Sequence, residues 1–298
     1  MHWLTDPWRY GFFRHGIVAG TLAGALCGLV GVYVVLRRMS YIGHGLSHAI
    51  FGGAVASYVL QINFYLGAGA WGVASALLIN SVARRRKIGA DAAIGIVTTA
   101  SFAIGVALIS RVHKFTVNFD AALFGNILGV SLSGLLVLAG AAIFTVAAVF
   151  LRYRQLLFAT FDPDVAESYG VNVKRLDVLF ALILAATVVS TMQILGVTLI
   201  AATIVIPAIV ARLVTDSFGK MLVLATAVGA GCGFAGMYSS FYFDIASGST
   251  IVLVAASVFV VVFAVTAVLN RRRLSTLERR GVGGGPMEPV GGPAVDLG

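Results

Sequence analysis

The sequence predicts an all-α, polytopic transmembrane bundle of about eight or nine spans, and three observations carry that prediction. Hydrophobic residues make up 59% of the chain and charged ones only 11%, where a soluble domain carries about a quarter charged. Mean hydropathy is +0.97. Apolar runs rich in glycine and alanine follow one another from Gly16 to Leu269, and arginines and lysines cluster between them at 37–38, 84–87, 152–154, 174–175 and 271–273. Runs this long and apolar suit the hydrocarbon core of a bilayer.

The elements follow in chain order. Residues 1–12 form an N-terminal segment with Trp3 and Trp8 placed for the headgroup level. This segment lacks the apolar core of a cleaved signal peptide. The first span, 14–36, sets Gly16, Gly20, Gly24 and Gly28 on one face, a spacing that lets a second helix approach closely. Further spans fall at 41–60, 66–82, 91–109, 131–151, 176–192, 195–210, 220–237 and 250–269. The second, sixth and seventh are short or broken by glycine against the roughly 20 residues a crossing needs, so eight spans fit the pattern as well as nine. Pro207 removes a helix hydrogen bond within the seventh, where a kink or break is expected. Residues 13–270 form one membrane domain, and 271–298 a cytoplasmic tail too poor in apolar residues to fold.

Basic residues orient the bundle. With nine crossings and the C-terminus in the cytoplasm, all but four of the 21 lysines and arginines lie on the cytoplasmic side; the four are Arg9, Arg14, Arg111 and Lys114. The formal charge of +9 is therefore a topology signal, divided among short loops beside apolar helices, and does not indicate a nucleic-acid partner. Cys27 and Cys232 stand alone inside apolar runs, which points to packing and against a disulfide framework.

Some polar residues are not explained by the membrane. His44 and His48, in Gly43-His44-Gly45-Leu46-Ser47-His48, are four apart and share one helix face inside the second span. Ionisable groups there mark a transport path or ligand site, and neutral imidazole binds zinc and related ions. Ser47 could support such a site as a hydrogen-bond partner. The bland alternative is a pair of packing histidines near the boundary. A zincin helix needs glutamate beside the first histidine, and Gly45 stands there.

A second segment reads Asp162-Pro163-Asp164-Val165-Ala166-Glu167-Ser168-Tyr169-Gly170. Asp162 can cap a helix that opens at Pro163, Asp164 suits its positive end, and Gly170 can end it. The residues alone leave a solvated loop helix and a docking surface for a soluble partner equally open. Asp91 reads as an N-cap. His113, Lys114, Asn118, Asp120 and Asp244 read as loop polarity in outer loops.

Taken together these landmarks resemble the membrane permease subunits of ATP-driven zinc, manganese and iron importers, the ABC-3 family. Leu36-Arg37-Arg38-Met39-Ser40-Tyr41-Ile42-Gly43 with Leu46-Ser47-His48-Ala49 looks like its strongest signature. Asp91-Ala92-Ala93-Ile94-Gly95-Ile96, Leu123-Phe124-Gly125-Asn126-Ile127-Leu128, Gly196-Val197 with Pro207-Ala208, and Asp244 with residues 248–253 follow in the family's order. The resemblance implies a type II ABC importer-like fold in the cytoplasmic membrane. It also implies a permease homodimer, a separate ABC ATPase subunit and an extracytoplasmic metal-binding protein. The family's aspartate and histidine on the helix after the arginines fall at His44 and His48, so His44 departs from the pattern and shifts the expected preference toward zinc. The family's ATPase-docking helix falls on Asp162, Pro163, Asp164, Glu167 and Gly170. The family's proline after Asp244 is Ala246 here.

There is no phosphate-binding loop: Gly219-Lys220 runs into Met221 with no upstream glycine at the required spacing. The chain is therefore expected to be no enzyme, with ATP hydrolysis on another subunit and no stably bound cofactor, only a transported zinc, manganese or iron ion. Two other classes stay open on the residues. An ion-coupled secondary transporter would show an inverted repeat, and an intramembrane metal enzyme would need a third ligand and a base near His44 and His48.

Overall fold

The computed structural model describes residues 6–83, 89–111, 123–126 and 130–279. Trp3, the basic run 84–87, His113, Lys114, Asn118, Asp120, Ile127, Leu128 and the tail from 280 lie outside them. A short 3-10 helix, Asp6–Arg9, precedes eleven α-helices among the described residues.

Nine of these helices match the nine apolar runs. They are α1 (Gly11–Leu36), α2 (Ile42–Val59), α3 (Phe64–Ala83), α4 (Ala90–Arg111), α5 (Leu132–Leu151), α8 (Val173–Leu195), α9 (Ile200–Val214), α10 (Phe218–Phe243) and α11 (Ser247–Arg279). Two short helices, α6 (Tyr153–Phe161) and α7 (Pro163–Ser168), lie between α5 and α8. Seven helices are long and apolar enough to cross a membrane: α1, α3, α4, α5, α8, α10 and α11. The histidine-bearing α2, and α9 at 15 residues, fall short of that test. The chain is thus an all-α polytopic membrane bundle, with seven apolar spans among the described residues.

Three boundaries differ from the sequence expectation. The sixth span is 23 residues long, because Asn172 caps it through a hydrogen bond from the Arg175 amide and Val173, Lys174 and Arg175 become its first turn. The seventh helix runs unbroken through Pro207. The last helix continues to Arg279, so the boundary placed at 270 falls inside it.

Inside a bilayer, helix association rests on close packing. In the spanning window of α1, 72% of residues are buried, against 11% for α11, so α1 lies at the centre of the bundle and α11 on its flank. The glycine face of α1 meets α10, where a Cβ on Gly24 would strike the Gly229 carbonyl and one on Gly28 the Ala225 carbonyl. α2 sits between α3 and α4, and α8 packs on α3, α5 and α1. Cys27 and Cys232 are both buried and unpaired.

At the end of the bundle opposite α7, three segments are tied by backbone contacts. The Leu123 carbonyl accepts from the Thr198 hydroxyl at 2.7 Å, and Ser247 Oγ donates to the Ile194 carbonyl at 2.9 Å. Gly125 and Gly196 hold φ of 80° and 76°, a conformation that costs other residues energy. A Cβ on Gly196 would meet the Leu123 carbonyl, and one on Gly248 the Leu195 carbonyl. Those contacts account for the glycines in the LFGNIL, Gly196-Val197 and Asp244-to-Leu253 motifs. Asp244 itself caps α10 in the left-handed region at φ 52°.

Candidate functional site

Five residues separate the end of α1 from the start of α2, in a turn closed by Met39 N donating to the Val34 carbonyl and Ile42 N to the Met39 carbonyl. Helical periodicity then stacks His44 and His48, whose rings meet edge-to-face with centroids 4.5 Å apart. His48 also meets Phe102 of α4 at 5.2 Å. Gly45, between the two histidines, lets α4 approach until its Ile94 and Thr98 methyls would collide with any Cβ there.

His44 and His48 open into a cavity of about 490 Å³ bounded by α2 and α4, whose polar lining also includes Tyr41, Asp91, Thr98 and Thr99. Asp91 therefore plays a different part from the N-cap expected of it. Helix α4 starts one residue earlier, and Asp91 lies exposed in its first turn, among the residues that line the histidine cavity. The sequence held no signal for this, since only the α2–α4 crossing brings residues 44 and 91 to one space. Ser47 is fully buried and donates to the His44 carbonyl at 2.8 Å, so it braces the helix rather than an imidazole. Among the described residues, no three His, Cys, Asp or Glu side chains converge closely enough to hold a metal ion. The cavity offers two imidazoles, and one carboxylate elsewhere on its wall. Such a set suits brief ligation of a divalent cation.

A second cleft, of about 880 Å³, opens between the α1–α2 turn, α3, the α6–α7 arm, α8 and α9. Its wall includes Pro163, Asp164 and Glu167 from the segment picked out in the sequence. Asp162 caps α7 by accepting from the Val165 amide at 3.0 Å, and Pro163 is its first residue. Gly170 leaves the helix at φ 80° with its amide donating to the Glu167 carbonyl. Within α7 only Ala166 is buried, so the helix presents nearly its whole surface. The local reading of Asp162, Pro163, Asp164 and Gly170 thus matches the structure.

One further group was missed. Arg37, read from the sequence as part of a topology-setting cluster, has a side chain only 9% exposed and pairs with Asp177 of α8 at 3.0 Å. Its Nε donates to Thr160 Oγ1 of α6 at 3.3 Å, and its guanidinium lies over Phe180 at 4.4 Å from the ring centroid. Burial pulls the Arg37 pKa down and the Asp177 carboxylate opposes that pull. An arginine remains charged under such competition. Arg38, beside it, is exposed and left-handed at φ 55°.

Helix count and composition define a class: a multi-pass helical membrane protein, here with a short exposed arm and a histidine-lined cavity. Comparison with known proteins makes it specific. The chain matches the ABC 3 transport family over residues 9–266 and belongs to that family as a membrane permease subunit. It is 38% identical over 263 residues to the manganese transport system membrane protein MntC of Listeria monocytogenes, covering 88% of this chain and 94% of that one. It is 34% identical over 258 residues to the chelated iron transport system membrane protein YfeD of Yersinia pestis, covering 87% and 86%. Among solved structures, PsaBC from Streptococcus pneumoniae in complex with Fab superposes with a TM-score of 0.79 at 31% identity, over 87% of this chain and 94% of that one. The role is therefore transport rather than catalysis, in the cytoplasmic membrane.

Proposed function

We propose that this chain is the permease subunit of an ATP-driven importer of divalent metal ions, and that His44 and His48 line the path of the ion. The observation that carries the reading is the cavity between α2 and α4, whose lining brings together two edge-to-face imidazoles and Asp91 in an otherwise apolar bundle. Ionisable groups on membrane helices are costly and serve where a charged cargo passes. The manganese and iron transport named for the relatives supports the cargo class. Within that class, a second imidazole in place of a carboxylate moves preference toward zinc.

The assembly we infer has two copies of this permease, two ATPase subunits and an external metal-binding protein. The basic-residue bias favours nine crossings with the C-terminus in the cytoplasm, and on that reading α7 lies on the ATPase side. Asp162, Pro163, Asp164, Glu167 and Gly170 then form the docking helix. Its exposure and its place beside an open cleft support that role. An ion-coupled carrier or a metal enzyme has no support of this kind.

The test is ATP-driven uptake into vesicles holding the full assembly, with zinc, manganese and iron(II) in competition. Uptake that needs ATP and is inhibited by all three ions is expected, with zinc the strongest competitor. His44→Asp should move the zinc-to-manganese ratio toward manganese. Uptake independent of ATP would reject the importer, and an unchanged ratio would reject ligation by His44.

A further inference from the structure

We propose that Arg37 is a positioning residue that makes the docking helix and the metal-lining helix move as one; this rests on the transport reading above. Three observations converge on it. First, Arg37 closes α1, and the turn that follows it borders both spaces: Arg37, Arg38 and Met39 line the docking cleft, while Tyr41 and His44 line the histidine cavity. Second, one guanidinium joins three elements. Nη1 is paired with Asp177 on α8, Nε bonds Thr160 on α6, and Phe180 lies beneath the plane. Third, Thr160 stands two residues before Asp162, the cap of the docking helix.

The chemistry of the Thr160 bond is directional. Its hydroxyl proton is given to the Leu156 carbonyl at 2.6 Å, so the oxygen is left to accept from Arg37. The α6–α7 arm otherwise meets the bundle lightly, through Leu156, Ala159 and Ala166 and the ring contacts of Tyr153 and Phe161 with Phe218. A push on α7 therefore reaches the α1–α2 turn through a short, rigid fork, and arginine's planar donors fix its angle. The fork is incomplete as it stands. Nη2 is buried and makes no hydrogen bond with any described residue. A buried donor left without a partner costs free energy, so the network around Arg37 is not fully satisfied in this arrangement.

The experiment uses vesicles containing permease, ATPase and external binding protein, and reads zinc ions moved per ATP hydrolysed. Arg37→Met with Asp177→Leu removes both charges together, which spares the fold an unpaired buried charge. Thr160→Val removes only the acceptor oxygen. The proposal expects both permeases to keep parent abundance and bound ATPase while ions per ATP fall, by about tenfold in the double variant and less in Thr160→Val. Should the double variant fail to assemble, Thr160→Val alone decides. A ratio equal to the parent's in the variants that assemble would overturn the positioning role and leave a merely structural ion pair. A parent assembly that moves no metal with ATP would overturn the transport reading itself, whatever the variants did.

Discussion

Replacing Gly24 by alanine should loosen the centre of the permease, and the size of the effect follows from two opposed terms. Alanine is the better helix former by about 1 kcal/mol. Against that, the new Cβ would meet the Gly229 carbonyl oxygen, with the Gly229 carbonyl carbon at 2.9 Å and the Gly233 amide nitrogen at 3.3 Å. These atoms are backbone, so no rotamer change relieves them and α1 and α10 must separate. Gly20 and Gly28 share the same seam with α10, so separation at Gly24 loosens contacts above and below it. Overpacking of this kind costs about 1–3 kcal/mol, and a rigid backbone neighbour puts it at the upper end. The net loss is about 2 kcal/mol, or roughly 4–8 °C in Tm for a chain of this size. Gly231→Ala is the control: it lies on α10 with open space where its Cβ would go, so only the propensity gain applies. Thermal unfolding of the two purified variants in one detergent, followed by circular dichroism, checks this. Equal Tm values would refute the argument that the glycine face sets the helix separation.

Three other outcomes are expected. Gly196→Ala should cut folded yield sharply, since it combines a left-handed φ of 76° with a clash at the Leu123 carbonyl; parent-like yield by size-exclusion chromatography would contradict this. Asp162→Ala should weaken α7 by about 1 kcal/mol through loss of the bond from Val165 and reduce ATPase recovery in a pull-down, and replacing the exposed Asp164 and Glu167 with arginine should reduce it further. Unchanged recovery from the combined variant would remove α7 from the docking face. Ser275→Cys should resist an impermeant thiol reagent applied to intact cells, whereas labelling from outside would reverse the orientation.

Most of the fold was legible because transfer free energy is a local property: each apolar run became a helix, although the last one continues well beyond its predicted end. The sixth span was read short because Lys174 and Arg175 look like loop, and only the Asn172 cap shows that the helix starts before them. Pro207 was read as a kink or break, and α9 runs through it without a break. At the site, the pair His44 and His48 was legible because periodicity places residues four apart together. Asp91 was not, because its nearness to them depends on how α2 crosses α4. Arg37 was opaque for the same reason. Its partner Asp177 is 140 positions away, and a buried arginine in a basic cluster reads like an exposed one.

The central claim is that the ion passes the imidazoles of α2, and His48→Ala in the full assembly tests it most directly. Metal uptake should be compared at equal membrane abundance and equal ATPase recovery, over a wide range of zinc and manganese concentrations. Loss of a ligand on the path predicts uptake reduced by about tenfold or more at limiting metal. Uptake curves that superimpose on the parent's for both metals would show that the ion does not use this cavity.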